Sequence, residues 1–369
     1  MGTGSQEMSM KIGVILHPYD EDKPAGLART IFELTKGMLE IDKDNEYIIF
    51  VKNKPHKHPD LPGNNWRLEV LGGGMFWLDH LRHAPRANVY IFNTPVMPLF
   101  WKPPKSIVIA LDFAYWHLSS RGIKNQIRRI ITFLLHKFSL HKADLVIAIS
   151  HATKEDVVKL FGINKEKITV VWCGFKKICA VEAKEVPLPQ KFFFFAGIIK
   201  LRKNVFNIVK AFYEFNKTHP EYYLVLAGNP AHGEYYDAIL HFIKEKKLEK
   251  NVLFIGHLND KELSYVYGHA EALVFPTLIE GFGYPVLEAM DCGVPVITSD
   301  QSSLKEIGGD AALLVNPYNP DEIAGAMRKL IEKPDLRQKL VQKGITQSER
   351  FSWHKAGREL LTLAEKLNT

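Results

Sequence analysis

The sequence predicts an α/β protein made of two doubly wound domains, and three observations carry that expectation. At 369 residues the chain is too long for one ordinary hydrophobic core, and two domains of roughly 170 to 190 residues follow. Short runs rich in β-branched and aromatic residues alternate with helical stretches. Most of these runs lack polar alternation, the mark of parallel strands covered on both faces. The rhythm breaks once, at CGFKKICAVEAKEVPLPQ (173–190), where mixed charge and two prolines read as a linker, and then restarts.

In the first half, KIGVILH (11–17), EYIIFVK (46–52), NVYIFN (88–93), SIVIAL (106–111), DLVIAI (144–149) and KITVVW (167–172) read as strands. Leu27 to Leu39 reads as the first helix, with Leu27, Ile31, Leu34 and Met38 on one stripe. In the second half the strands are KFFFFAG (191–197), YYLVLAG (222–228), NVLFIG (251–256), EALVFP (271–276), VPVIT (294–298) and AALLV (311–315). Asn204 is placed to cap a helix whose inner face holds Val205, Ile208, Val209, Phe212 and Phe215. SWHKAGRELLTLAEKL (352–367) reads as a last helix that could brace the two halves. The expected domains are residues 11–180, residues 181–350 and a C-terminal helix over 351–369.

Composition narrows the classes of function. Apolar residues make up 46% and charged residues 24%, which excludes a disordered chain. The net charge of +7 favours anionic partners without choosing among nucleic acid, membrane and phosphorylated metabolites. No recognition helix, zinc pattern or aromatic strand platform supports nucleic acid. Cys173, Cys179 and Cys292 form neither a metal-ligand spacing nor a disulfide framework, so Cys292 reads as a small hydrophobe and a cytoplasmic setting fits. The opening MGTGSQEMSM has no signal-peptide pattern, and no apolar run reaches the ~20 residues of a spanning helix. DED (20–22) and DKD (42–44) superficially resemble metal-binding aspartates, but ordinary solvation at charged turns explains them better, and no metal is expected.

Two doubly wound domains in tandem put strand-end crevices opposite one another across a cleft, and open α/β sheets bind ligands at the carboxyl ends of their strands. The stretch EGFGYPVLE (280–288) suits that position. Glu280 lies just past a strand's carboxyl end. Gly281 and Gly283 let the backbone approach a ligand closely. Pro285 suits the first turn of a helix whose N–H groups and dipole would favour an anion. Glu288 falls about one turn further on, within reach of hydroxyls beyond the phosphate. A ligand with hydroxyls, phosphates and then more hydroxyls fits all three parts, and that describes a nucleotide sugar. A plain glycine turn with solvated carboxylates is the plainer alternative. Arg202 and Lys203 in LRKN (201–204) are placed to clamp phosphate oxygens, or form a solvated pair. Gly26 in PAGLARTIFEL (24–34) would let a helix N-terminus come close to a phosphate or sugar.

From about Lys11 to Leu367 the sequence resembles a family 4 retaining glycosyltransferase, of the two-Rossmann-domain architecture called GT-B. The resemblance is most specific in IEGFGYPVLEAMDCGVPVITSD (279–300), where Glu280 and Glu288 match the family's E-x7-E pair. GIIKLRKNVFNIVKAF (197–212) matches the segment with phosphate-binding basic residues. AISHATKEDVVKLFGINKEKITVVWCG (148–174) and GGDAALLVNPYNPDEIA (308–324) are similar to flanks usual in bacterial mannosyl- and rhamnosyltransferase-like members. The resemblance implies that Glu280 binds hydroxyls of the transferred sugar and that backbone groups of Phe282 and Gly283 hold sugar and phosphate. It assigns the nucleotide ribose to Glu288 and the departing diphosphate to Arg202 and Lys203, with Gly26 facing the donor from the first domain. It implies hexose transfer with retention from a donor, leaning towards GDP-mannose, to a glycan or glycolipid, without a metal. The LNDKEL segment (258–263) would lie near the base.

The pattern breaks at ALDFAYWH (110–117). Leu111 stands where relatives carry a histidine that touches the donor, Asp112 keeps the aspartate position, and His117 lies five residues after Asp112. A GT-B nucleotide-sugar epimerase would bind a diphosphate at the same glycine loop, and Leu111 leaves room for a catalytically weak binding or scaffold protein. RGIKNQIRRIITFLLHKFSLHK (121–142) admits two readings. It is either an interfacial helix that brings the enzyme to the inner face of the membrane, or a domain helix with its apolar stripe inward. GGGMFWLDHLRH (72–83) would add a second membrane contact or pack within the first domain.

Overall fold

The structure is a computed structural model that describes residues 9–19, 26–118 and 122–369. The tail 1–8, the DED run at 20–22 and the first two residues of PAGLARTIFEL lie outside the described residues. The chain divides into two compact units, one of residues up to Gly174 together with Phe351–Thr369, the other Phe175–Arg350. The division falls six residues before the expected end of the first domain, because the first part of the linker belongs to the second unit. The C-terminal segment belongs to the first.

The first unit contains β1 (Lys11–Ile15), α1 (Gly26–Ile41), β2 (Glu46–Val51), β3 (Trp66–Val70), β4 (Val89–Phe92), β5 (Lys105–Ala110), α2 (Ala114–His117), α3 (Ile123–Lys142), β6 (Leu145–Ala148), α4 (His151–Phe161) and β7 (Ile168–Val170). The strands form one parallel sheet in the order β3-β2-β1-β4-β5-β6-β7. The near-continuous apolar runs behave as a covered parallel sheet requires: β4 is buried throughout, and β1 and β2 from their second residues on. β3 escapes that pattern because WRLEV lies at the sheet edge and is only half buried. In α1, Ile31, Leu34 and Met38 are buried, as the stripe requires. Ser150 caps α4 by accepting from the Thr153 N–H at 3.1 Å, and Gly162 closes it in the left-handed region.

Asp42 departs from the solvated turn expected of DKD. It is only 4% exposed. Its Oδ1 accepts from the N–H groups of Asp44 and Asn45 at 3.0 and 3.1 Å, and its Oδ2 from Asn45 Nδ2 and Tyr47 Oη at 3.0 and 2.5 Å. Burial alone would raise this carboxyl, but the four donors outweigh it and hold the pKa below the ordinary value. The side chain closes the turn between α1 and β2.

The second unit contains β8 (Phe192–Ala196), α5 (Val205–Asn216), β9 (Tyr223–Ala227), α6 (Glu234–Glu245), β10 (Val252–Gly256), α7 (Asp260–His269), β11 (Ala272–Phe275), α8 (Tyr284–Asp291), β12 (Val296–Ser299), α9 (Ser302–Gly308), β13 (Leu313–Val315), α10 (Pro320–Glu332) and α11 (Pro334–Ser348). Its strands form a second parallel sheet in the order β10-β9-β8-β11-β12-β13. Phe192 to Phe195 are fully buried because β8 lies between β9 and β11 with helices on both faces. The inner face of α5 is buried at Val205, Ile208, Val209, Phe212 and Phe215, each side chain contributing about 1.5–3 kcal/mol of transfer free energy.

Two expectations are corrected here. Cys179 and Cys292 form a disulfide, with Cα atoms 5.4 Å apart, that fastens the single turn Ile178–Ala180 of the linker to the end of α8. Cys292 is therefore a cross-link rather than a small hydrophobe, and the cysteine argument for a cytoplasmic setting falls away. The spacing of 113 residues gave no sign of it, because only the fold brings the two segments together. Asn204 does stand at the start of α5, but its backbone is left-handed and its side chain makes no cap bond. Its Nδ2 donates instead to the carbonyls of Pro276 and Pro317 at 2.9 and 2.6 Å, joining the ends of β11 and β13.

The last helix, α12 (Trp353–Asn368), packs on α1 within the first unit. Glycines make the approach close: a Cβ on Gly37 would meet the Trp353 carbonyl oxygen at 2.5 Å, and one on Gly357 would meet the Gly37 carbonyl carbon at 2.6 Å. No described helix is long and apolar enough to cross a membrane.

Candidate active site

In the second unit, the residues singled out by sequence converge at the carboxyl ends of β8 and β11. The chain leaves β8 through Gly197 and reaches the single turn Leu201–Lys203 before α5. It leaves β11 through Pro276–Ile279 to Glu280. The Arg202 carbonyl accepts from the Leu278 N–H at 3.0 Å, which holds the two loops side by side. Arg202 Nη1 then donates to the Ile279 carbonyl at 3.1 Å and to Glu280 Oε1 at 3.2 Å. Lys203 Nζ donates to Glu280 Oε2 at 2.5 Å and lies 4.7 Å from the centre of the Phe275 ring. The three side chains are only 17%, 11% and 13% exposed, in the order Arg202, Lys203, Glu280.

Burial alone would raise the Glu280 carboxyl. The Lys203 ammonium and Arg202 guanidinium outweigh burial and hold its pKa below the ordinary carboxylate value, so Glu280 is ionised at neutral pH. Burial also pulls the Lys203 ammonium below its ordinary value, against the attraction of Glu280. The cluster is a carboxylate held between two largely buried basic side chains.

The glycine loop follows directly. Gly283 adopts φ +122° at the N-cap of α8, and a Cβ there would meet Leu304 Cδ2 at 2.6 Å. Pro285 occupies the first turn of α8. Two serines at the start of α9 brace the loop: Ser302 Oγ donates to the Glu280 carbonyl at 2.7 Å and accepts from the Glu280 N–H at 3.2 Å. Ser303 Oγ is shared between the carbonyls of Glu280 and Phe282 at 2.7 and 2.8 Å. Neither serine was singled out from the sequence. The available signal was the pair of hydroxyls at 302–303, one residue beyond the VPVITSD run (294–300). Glu288 is 5% exposed on α8, and Tyr267 Oη donates to its Oε2 at 3.4 Å.

The remaining candidates belong to the first unit. Gly26 is the first residue of α1. Asp112 follows β5, is exposed, and accepts from the Ala114 N–H at 3.1 Å at the start of α2. The Leu111 carbonyl accepts from Thr153 Oγ1 at 3.1 Å. His117 Nε2 contacts Asp156 Oδ2 at 2.9 Å, which fastens it to α4. At the carboxyl ends of β1 and β2 a polar cavity of about 110 Å³ is lined by His17, Tyr19, Lys52, Asn53, Lys54 and His56 among others. Among the described residues no cluster of three His, Cys, Asp or Glu side chains is placed to hold a metal ion.

Two family models divide the chain between them. The model described as Glycosyltransferase Family 4 matches residues 24–176, and that described as Glycosyl transferases group 1 matches residues 180–347. The chain is a glycosyltransferase of the GT-B fold. Among relatives of this glycosyltransferase, O-antigen chain mannosyltransferase B of Escherichia coli is 28% identical over 274 residues, covering 72% of this chain and 71% of the relative. O-antigen chain mannosyltransferase RfbU of Salmonella typhimurium is 27% identical over 211 residues, covering 57% of each chain. Two solved structures share the fold along the whole length. Sucrose-phosphate synthase from Thermosynechococcus elongatus superposes with a TM-score of 0.75 at 18% identity, covering 97% of this chain and 99% of that one. Anabaena HepE in complex with UDP and glucose superposes with a TM-score of 0.73 at 17% identity, covering 97% and 100%.

Proposed function

We propose that the protein transfers a hexose from a nucleoside-diphosphate sugar to a hydroxyl of a glycan or glycolipid acceptor, with retention at the anomeric carbon. The observation that carries this reading is the Arg202–Glu280–Lys203 cluster beside the glycine loop at the N-terminus of α8. In transfer, the bond between the anomeric carbon and the leaving phosphate oxygen breaks and the bond to the acceptor oxygen forms on the same face. The acceptor's proton passes to the departing phosphate, and nucleoside diphosphate is released. Negative charge grows on the leaving oxygen, so cations fixed beforehand and N–H donors aimed at it lower the barrier without reorganising.

Each residue has a part in that chemistry. Arg202 and Lys203 neutralise the diphosphate. Glu280 holds both cations in register and offers its carboxylate to sugar hydroxyls. Phe282 and Gly283 present backbone groups to the sugar and phosphate. Glu288 binds the ribose hydroxyls, its carboxylate already oriented by Tyr267. Gly26 and Asp112 act from the first unit, whose strand ends select the acceptor. No step calls for a metal, because the two side-chain cations meet the leaving-group charge.

GDP-mannose is the favoured donor, supported by the two O-antigen relatives, which are named mannosyltransferases. UDP-linked hexoses are the nearest alternative, supported by HepE, which holds UDP-glucose. The test is a metal-free calorimetric titration with GDP, UDP, dTDP and ADP and their sugar conjugates, repeated with Lys203→Ala and Glu288→Ala. One nucleoside diphosphate should bind selectively and lose affinity in both variants. Folded protein that binds none of the panel refutes the donor site, and a changed free nucleotide sugar made without acceptor makes the protein an epimerase.

A further inference from the structure

We infer that α3 is a docking surface for an anionic lipid bilayer. The helix has two apolar faces, and only one of them packs on the domain. On the packed face, Phe133 stacks on Trp116 and Phe161 at ring-centre distances of 4.2 and 4.8 Å, His136 Nδ1 lies 3.0 Å from Tyr115 Oη, and Leu140 is fully buried. Arg129 on the same side lies 5.0 Å from the centre of the Trp116 ring. The opposite face carries Ile123, Ile127, Ile130, Ile131, Leu134 and Phe138, which are between 42% and 77% exposed. At 3.6 residues per turn these six fall within an arc of about 100°. Single exposed apolar residues need no explanation, but a continuous stripe along a 20-residue helix does. Turning the apolar stripe inward, the domain-helix reading, accounts only for the other face.

Charge selects the occupant. The helix contains Lys124, Arg128, Arg129, Lys137 and Lys142 and no acidic residue. Lys124 and Arg128 flank the apolar stripe on one side and Lys137 on the other, all three exposed. An apolar stripe bordered by basic side chains suits the boundary between headgroups and acyl chains of an anionic leaflet.

A second segment extends the surface beyond the C-terminal end of α3. Lys142 Nζ donates to the Pro98 carbonyl at 2.6 Å, and Ser139 Oγ accepts from the Met97 N–H at 2.9 Å, which fixes the 97–100 loop against the helix. Phe100 on that loop is 72% exposed and meets Phe76 edge to face at 5.6 Å, next to Met75, which is 88% exposed. These are aromatic and flexible apolar side chains presented outward where an interfacial anchor would have them. With α3 seated on lipid, a lipid-linked acceptor would reach the first unit by diffusion in two dimensions.

The test is co-sedimentation of the full chain with vesicles of phosphatidylcholine alone and with about a quarter phosphatidylglycerol. The protein should bind the anionic vesicles at least tenfold more strongly, and added salt should weaken the binding. Ile127→Ser/Leu134→Ser should lower the partition coefficient at least tenfold. Arg128→Glu/Lys137→Glu, both at exposed positions, should abolish the preference for anionic lipid. Nucleotide titration of the same preparations should be unchanged, so failure here is separate from failure of the donor site. Absence of vesicle binding, or binding that both folded variants retain, overturns the inference. A dimer in sedimentation velocity that the serine variant dissociates overturns it in favour of a second copy of the chain.

Discussion

Replacing Glu280 by glutamine removes one charge and almost no volume, which makes it the sharpest perturbation of the Arg202–Glu280–Lys203 cluster. Its Oε2 lies 2.5 Å from Lys203 Nζ and its Oε1 lies 3.2 Å from Arg202 Nη1, with all three side chains less than a fifth exposed. Taking the charge away leaves two buried cations facing a neutral amide. Breaking a buried pair from one side costs about 3–5 kcal/mol, because the remaining charge keeps its desolvation penalty and loses its compensation. For a unit of this size, about 2–4 °C of melting temperature per kcal/mol places the drop at roughly 6–20 °C. Lys203→Met added to Glu280→Gln removes one stranded cation and should recover much of that loss. On the role proposed for Lys203 at the leaving diphosphate, it should not recover transfer. Urea unfolding at pH 7 and the rate of nucleoside diphosphate release, measured on the single and double variants, separate the two effects. A single variant that loses under 1 kcal/mol, or a double variant that regains transfer, would refute the reasoning.

Three further outcomes are expected. Gly283→Ala must place a Cβ 2.6 Å from Leu304 Cδ2 at φ +122°, so it should cost about 1–3 kcal/mol of stability and raise the donor KM with a smaller change in kcat in steady-state assays. Cys292→Ser, or reduction of the wild type, opens the 113-residue loop closed by Cys179 and Cys292 and should lower unfolding free energy by about 2–4 kcal/mol, read from melts with and without a phosphine reductant. Burial holds the His136 imidazole down at about 4, below its ordinary 6.5. The unfolded chain therefore binds a proton between those values that the folded chain does not, and stability should fall as pH drops through that window. His136→Gln should flatten that part of the pH profile of the melting temperature.

What the sequence made legible follows from how strongly each feature is written in local chemistry. Phe192 to Phe195 and the runs of β1, β2 and β4 are apolar on both faces, as strands of a parallel sheet covered on both sides are. β3 was missed because WRLEV mixes two charged residues with its apolar ones, as an edge strand can. Glu280, the glycines and Pro285 were readable because a strand end, a tight turn and a helix start each demand those residue types. Their partners were not. The pairing of Glu280 with Arg202 and Lys203 spans 78 and 77 residues, and the bracing by Ser302 and Ser303 spans 22 and 23. No periodicity links such positions. The same holds for Asp42, whose burial comes from Tyr47 and Asn45 folding back over it, and for Cys179 with Cys292. The α3 face was legible as a pattern and ambiguous as a direction, since periodicity reports a stripe without saying which way it points.

The charge cluster carries an argument beyond its geometry. A buried ion pair is a poor way to stabilise a fold, because desolvating the charges offsets most or all of their attraction, and apolar side chains of similar volume often serve as well or better. Arg202, Lys203 and Glu280 lie at the ends of β8 and β11, where the Phe275 ring and the buried Phe282 and Leu278 already supply apolar neighbours. Packing alone would be met by methionine or leucine at these positions. Under the proposed function, a diphosphate brings more than one negative charge to two basic side chains that burial has already stripped of water and Glu280 has oriented. Holding those cations in place before the substrate arrives removes reorganisation from the step in which leaving-group charge appears. The proposed function thus accounts for a buried charge cluster that stability alone does not call for.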